Sequence, residues 1–235
     1  MKKRFQGIVS QDYDLLVRTV SHHQEMQSVI AKAVAEHTFA RTSVSVLEIG
    51  VGTGLTTREL LQDSRLSITA IDSEPIMLEQ SRKNLDEYIT SGRVRLVERD
   101  CLEYLSTCTP KSFDAVVTAN TLHNFENSYR TNVLSEIRRC LRDEGLFVNG
   151  DKYALQDPAK FIESMEWQIG KYKEVFLAAK REDLLAAWTR HEEYDARPDI
   201  IMKEEDAERV MNAVGFTNVR FIWRKKMSAV LVAVA

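Results

Sequence analysis

Between residues 44 and 150 the chain alternates short β-branched runs with stretches patterned for helix. The runs SVSVLEI, LSITAI, RVRLVE, FDAVVTA and GLFVNG read as five strands. The stretches LTTRELLQD, EPIMLEQSRKNLDEYI, CLEYLST and YRTNVLSEIRRCLR, which lie between them, read as helices. This alternation predicts an α/β, Rossmann-like fold, a mostly parallel sheet with helices on both faces. The first run is almost continuously apolar, as a strand covered on both faces should be. Further on, EEDAERVMNAV predicts a helix stopped by Gly215, and NVRFIWR and MSAVLVAVA predict two strands joined by a tight basic turn. A terminal antiparallel strand is expected there.

Two segments fall outside this alternation. Residues 11–38 carry Met26, Val29, Ile30 and Val34 on one helical face. Residues 153–200 place Phe161, Met165, Tyr172 and Val175 at helical spacing, with Trp188 and Tyr194 close by. The reading is a single domain over 1–235 to which a helical segment (1–40) and a helical lid (153–203) are added, the lid inserted after the fifth strand.

Composition narrows the function. A chain of 235 residues with 44% hydrophobic content can bury one substantial core. Lys and Arg number 32 against 35 Asp and Glu, a net charge of -3 that gives no electrostatic footprint for nucleic acid. Cys101, Cys108 and Cys140 are odd in number and form no CxxC pair, so neither a disulfide framework nor a zinc cluster is expected. No apolar run approaches the roughly 18 residues of a membrane span, and MKKRFQGIVSQDYD lacks the apolar stretch of a signal peptide. A cytoplasmic protein without membrane contact is expected.

The chemistry concentrates in VLEIGVGTG, residues 46–54, with Gly50, Gly52 and Gly54 at alternate positions. A dinucleotide turn reads GxGxxG, whereas here the third glycine comes one residue early and Leu55 stands in its place. Glu48, ending the strand beside the turn, would repel a pyrophosphate. S-adenosylmethionine carries a sulfonium and an ammonium and no phosphate, so an acid followed by close-approach glycines suits it.

VLEIGVGTG, ITAIDSEPIML, LVERDCLEYL and FDAVVTANTLHNF, in this order, resemble the successive motifs of class I S-adenosylmethionine-dependent methyltransferases. The resemblance implies a seven-stranded sheet with a reversed last strand, in agreement with the pattern near residues 217–235. It further implies that Glu48, Gly50, Gly52 and Gly54 line the methionine side, and that Asp72, beside Ser73, accepts from the ribose hydroxyls. Met77 would pack on adenine, Asp100 accept from its amino group, the backbone of Cys101 meet the ring, and Asn120 lie near the methionine moiety. Several of these residues also have plain readings: Asp72 as a turn residue, Asp100 with Glu103 as a capping box, Met77 as core. The product would be S-adenosylhomocysteine.

For catalysis the candidate is His123, just beyond the fourth strand, where open parallel sheets bind ligands. A Leu-His pair occurs there across the family without being a base in every member. His22 and His23 follow Ser21 in SHHQ, a capping box with Gln24, and read as structural. No neighbouring His, Cys or acid gives them a zincin-like spacing, so no metal is expected. Base-methylating relatives commonly carry Asn or Asp followed by Pro-Pro-aromatic, a string that ANTLHNF lacks. The expected acceptor is therefore a small molecule, with Tyr13, Trp167, Tyr172, Trp188 and His191 as candidate contacts and Tyr194 nearby. A simple helical annexe and a homodimer contact are the other uses the aromatic insertion could serve. The rival functions are an enzyme that modifies the cofactor itself and a non-catalytic cofactor-binding module.

Overall fold

The computed structural model describes residues 13–20 and 22–235. Seven strands form one sheet in the order β3-β2-β1-β4-β5-β7-β6. Strands β1 (Val44–Ile49), β2 (Leu66–Asp72), β3 (Val94–Glu98), β4 (Phe113–Ala119) and β5 (Leu141–Lys152) run parallel. β7 (Ser228–Val234) is antiparallel to both β5 and β6 (Thr217–Lys225), so the expected reversed last strand is present. The order reverses between β1 and β4. In open sheets that point opens a crevice at the strand ends.

The helices α1 (Tyr13–Thr19), α2 (His23–His37), α3 (Leu55–Leu60), α4 (Pro75–Asn84), α5 (Asp86–Thr90), α6 (Cys101–Thr107) and α7 (Asn127–Cys140) precede β5. After it come α8 (Pro158–Ala178), α9 (Glu182–Asp195) and α10 (Glu204–Ala213). One buried cluster, with Met26, Ile30 and Val34 of α2, covers one face of the sheet; another, with Val133, Leu134 and Ile137 of α7, covers the other. Each such aliphatic side chain contributes roughly 1.5–3 kcal/mol on burial. α2 sits so close to β5 that a Cβ on Gly150 would meet Ile30 Cδ1 at 2.5 Å.

Three local expectations change. The 11–38 stretch is two helices, and α2 begins after His22, whose side chain makes no capping bond; Ser21 lies outside the described residues. EPIMLEQSRKNLDEYI divides into α4 and α5 at Leu85, which is fully buried beneath the glycine turn. The insertion holds α8 and α9, whose Tyr172, Phe176, Leu184 and Trp188 form a cluster of their own with Leu15 and Leu16 of α1. No helix among the described residues is long and apolar enough to cross a membrane.

Candidate functional site

The glycine turn is held from both sides. The N–H groups of Gly50 and Val51 both donate to Ile71 O, at 2.8 and 3.0 Å, and Ser81 Oγ donates to Gly52 O at 2.6 Å. Asp72 accepts from Gly52 N–H at 2.9 Å through one oxygen and from Glu74 N–H at 3.0 Å through the other. A Cβ on Gly50 (φ +74) would come within 2.2 Å of Thr121 Oγ1. At Gly52 (φ +54) a Cβ would meet nothing within 4 Å, so open space stands above the middle of the turn. Gly54 lies against Leu85.

The Glu48 carboxyl is enclosed at the end of β1, where it is 1% exposed and accepts from Thr57 Oγ1 at 2.5 Å. Burial pushes the Glu48 carboxyl up to about 8; the Thr57 hydroxyl opposes this and Asp72 adds to it. The sign for stability follows. The folded protein keeps a proton that an ordinary carboxyl near 4.5 loses, so stability falls as pH rises from about 4.5 to about 8. Glu48→Gln should flatten that slope, gaining on the order of 2–4 kcal/mol relative to the parent between acid and alkaline pH. Chemical denaturation as a function of pH checks this; parallel curves for the two proteins would refute it.

Burial also raises the Asp72 carboxyl, against the backbone N–H groups of Glu74, Gly52 and Ser73 that favour its charge. Asp100 caps α6, accepting from Leu102 N–H at 2.9 Å and Glu103 N–H at 3.2 Å, and from Tyr129 OH at 2.6 Å. All three bonds go to Oδ1, which leaves Oδ2 for a second role of the kind an adenine amino group needs. Cys101 is buried with Sγ 3.4 Å from Tyr129 OH, and burial pushes its thiol up to about 12, which suits packing rather than nucleophilic attack. Met77 is buried on α4, Ser73 is half-buried, and Asn120 holds a positive φ of 49° at the end of β4.

Beyond the turn lies a second cluster. Thr121 Oγ1 donates to Ala119 O at 2.9 Å and to Ile49 O at 3.3 Å, joining the β1 turn to the short 3-10 segment Leu122–Asn124. His123 there is buried, its Nδ1 2.5 Å from Asp151 Oδ1, and its N–H donates to Asp151 Oδ2 at 3.2 Å. Next along β5, Lys152 Nζ donates to Glu192 Oε1 at 2.6 Å and Asp195 Oδ2 at 3.3 Å. Burial opposes the lysine's charge, yet Glu192 and Asp195 outweigh it and hold the ammonium above the ordinary lysine range. A small cleft beside them has His123, Lys152 and Asp195 on its polar side and Phe161, Met165 and Met227 on its apolar side.

The expected acceptor contacts divide. His191 joins the cluster, its ring centroid 6.4 Å from that of His123. Tyr172 and Trp188 do not line the cleft. They pack in the α1/α8/α9 core, where Tyr172 OH donates to Glu192. Trp167 stacks at 6.0 Å on His22, whose Nε2 is 3.0 Å from Ser228 Oγ, with Lys226 Nζ 5.9 Å from the indole. The Tyr13 side chain lies outside the described residues, and Tyr194 is stacked by Arg197 at 4.5 Å. His23 is buried, which together with neighbouring His22 lowers its imidazole to about 4. Asp151, Lys152, Glu192 and Asp195 went unforeseen. Their signals were an acid ending a strand in NGDK, and His and Asp four residues apart in RHEEYD.

The Rossmann-like sheet with one reversed strand thus carries a three-glycine turn after β1 and a carboxylate at the end of β2. In sequence over this region and in fold, the chain is similar to class I S-adenosylmethionine-dependent methyltransferases. Residues 46–145 match the family model described as a methyltransferase domain. Over 147 residues the chain is 27% identical to carboxy-S-adenosyl-L-methionine synthase of Salmonella paratyphi C, a match covering 61% of this chain and 57% of that protein. The chain thus aligns with little more than half the length of these curated relatives. Among solved structures, the CurJ carbon methyltransferase superposes with a TM-score of 0.68 at 18% identity, over 97% of this chain and 59% of that one. A putative S-adenosyl-L-methionine-dependent methyltransferase from Methanococcus maripaludis superposes with a TM-score of 0.64 at 19% identity, over 99% and 94%. Both likenesses concern the fold.

The family's cofactor is S-adenosylmethionine, and the residues present fit it. The space above Gly52, the carboxylate of Asp72 at the strand end and the second oxygen of Asp100 supply a close approach and two acceptors at the crevice.

Proposed function

We propose that the protein transfers the methyl group of S-adenosylmethionine to an O, N, C or S nucleophile on a small-molecule acceptor, releasing S-adenosylhomocysteine. The observation that carries this reading is the buried His123–Asp151 pair, at 2.5 Å, with His123 on the wall of the cleft and two residues beyond Thr121, which bonds to Ile49 O. In this reading Gly50, Gly52 and Gly54 admit the methionine end, Asp72 and Ser73 hold the ribose, and Met77, Asp100 and Cys101 enclose the adenine. Asn120 borders the methionine moiety.

The sulfonium supplies an activated methyl group when bound. The chain's own task is to align the nucleophile and exclude water, an effect that can supply roughly 7–11 kcal/mol. Asp151 holds the Nδ1–H tautomer of His123 and stabilises the imidazolium formed when Nε2 takes the acceptor's proton. Apolar Phe161, Met165 and Met227 shield the other side.

The test is incubation with methyl-labelled S-adenosylmethionine and fractionated metabolites. Label should enter an acceptor as S-adenosylhomocysteine is released in equal amount; label transfer to nothing, with every fraction, overturns the reading. Asp72→Ala should weaken cofactor binding by more than about 1 kcal/mol while the fold survives, because a charged acceptor is lost. Calorimetric titration beside thermal melting checks this. Normal affinity with a much lower melting point would make Asp72 a turn residue only.

The similarity to a carboxy-S-adenosyl-L-methionine synthase favours a second reading, an enzyme that modifies the cofactor itself. Mass spectrometry separates the two: a heavier S-adenosyl compound with no methylated acceptor belongs to the second reading.

A further inference from the structure

Three donors, His123 beyond β4 and His191 and Asp195 four residues apart on α9, converge where His123 and Asp195 line the cleft. His123 Nε2 lies 3.7 Å, and His191 Nε2 3.6 Å, from the same oxygen of Asp195. One donor atom from each of the three stands within 4.8 Å of the others, and all three side chains are buried. Ligand atoms around an ion bound at about 2.0–2.2 Å sit roughly 3–3.5 Å apart, so modest side-chain shifts would close the set. The outer contacts are those of a metal centre. Asp151 fixes the far nitrogen of His123, and Lys152 holds the Asp195 carboxylate.

Charge points the same way. Glu192 and Asp195 share the ammonium of Lys152, and Asp151 pairs with the ring of His123. Tyr172 gives Glu192 a neutral hydroxyl, and Arg130 donates to the carbonyl oxygens of Leu122, Phe125 and Ile200. Excess negative charge away from water is costly. With Nδ1–H directed to Asp151, the lone pair of His123 Nε2 is the ring's remaining polar group, and its nearest charged partner is a carboxylate oxygen. A cation between them would draw on both.

We propose that His123, His191 and Asp195 bind one divalent transition ion at the end of the acceptor cleft. Two imidazoles and one carboxylate suit an ion of the zinc, iron or cobalt type better than magnesium or calcium, which prefer oxygen alone. Three protein ligands leave coordination positions open toward the cleft. An acceptor hydroxyl bound there loses its proton to water more readily. Its freed electron pair then forms the bond to the methyl carbon as the carbon–sulfur bond of the sulfonium breaks. In the loaded protein Nε2 of His123 is a ligand, and the ion replaces it in lowering the acceptor's pKa. The ion site itself stands whether or not methyl transfer is the reaction.

The full chain, stripped with chelator and dialysed, is titrated with Co²⁺ and, in competition, Zn²⁺. One Co²⁺ per chain should bind with visible absorption bands, and Zn²⁺ should displace it. His191→Gln and Asp195→Asn, each with melting checked, should weaken binding at least tenfold, and the surface variant His37→Asn should not. Absence of a cobalt spectrum up to millimolar ion, or binding untouched in both cluster variants while they remain folded, overturns the site. Cofactor titration of the stripped protein separates this failure from failure of the methyl-transfer reading.

Discussion

His123→Ala should lower kcat for methyl transfer by about 10²- to 10⁴-fold, the span by which a positioned acid–base group accelerates proton transfer. The cofactor dissociation constant should change little, since His123 lies on the cleft rather than under the glycine turn. Asp151→Asn should cost less in rate than His123→Ala, because the imidazole remains but its tautomer and orientation are no longer held at 2.5 Å. Steady-state kinetics with the identified acceptor, beside cofactor titration, gives both numbers. Full activity in His123→Ala would remove the pair from the chemistry.

Gly50→Ala and Gly52→Ala should fail in different ways. At Gly50 the added carbon would sit 2.2 Å from Thr121 Oγ1, on a backbone with φ +74. Left-handed backbone costs a non-glycine residue roughly 1–2 kcal/mol, and overpacking typically adds 1–3 kcal/mol. Loss of about 2–5 kcal/mol is expected, with the Thr121 segment displaced. At Gly52 the carbon enters open space, so only the backbone strain at φ +54 is felt by the empty fold. If that space belongs to the cofactor, binding should nevertheless weaken at least tenfold. Melting curves with and without S-adenosylmethionine separate the cases: Gly50→Ala melts low in both, and Gly52→Ala loses the rise that ligand gives the parent. A normal ligand-induced rise in Gly52→Ala would place the cofactor elsewhere.

What the sequence could announce was what is local. Alternation of β-branched runs with helical stretches foretold the sheet and its reversed strand, and three glycines within five residues marked the turn. The enclosure of Glu48 was harder, because strand alternation decides which face a side chain takes and the run is apolar on both. Tyr172 and Trp188 looked like a lining because the partners that bury them, Leu15 and Leu16 of α1, lie some 160 residues earlier. His123 was legible as a residue but not as a pair: Asp151 is 28 positions away and Asp195 another 44. Such contacts arise from topology, which brings the ends of β4 and β5 side by side and returns α9 over them.

The cluster at the cleft draws its charged groups from residues 151–195, whereas the turn and its carboxylates come from residues 48–100. The family match ends at residue 145, six positions before Asp151. The glycine turn and His123 thus lie inside the matched stretch, and the acids of the cleft lie beyond it. Replacement of one uninterrupted segment, from the end of β5 through α9, could give a descendant a new acceptor while its cofactor half stayed unchanged. In the proposed reading, relatives matched through residues 46–145 share the cofactor turn before they share a recipient. Kinship in recipient should instead track likeness in NGDK and RHEEYD, two short strings that meet only in the folded chain.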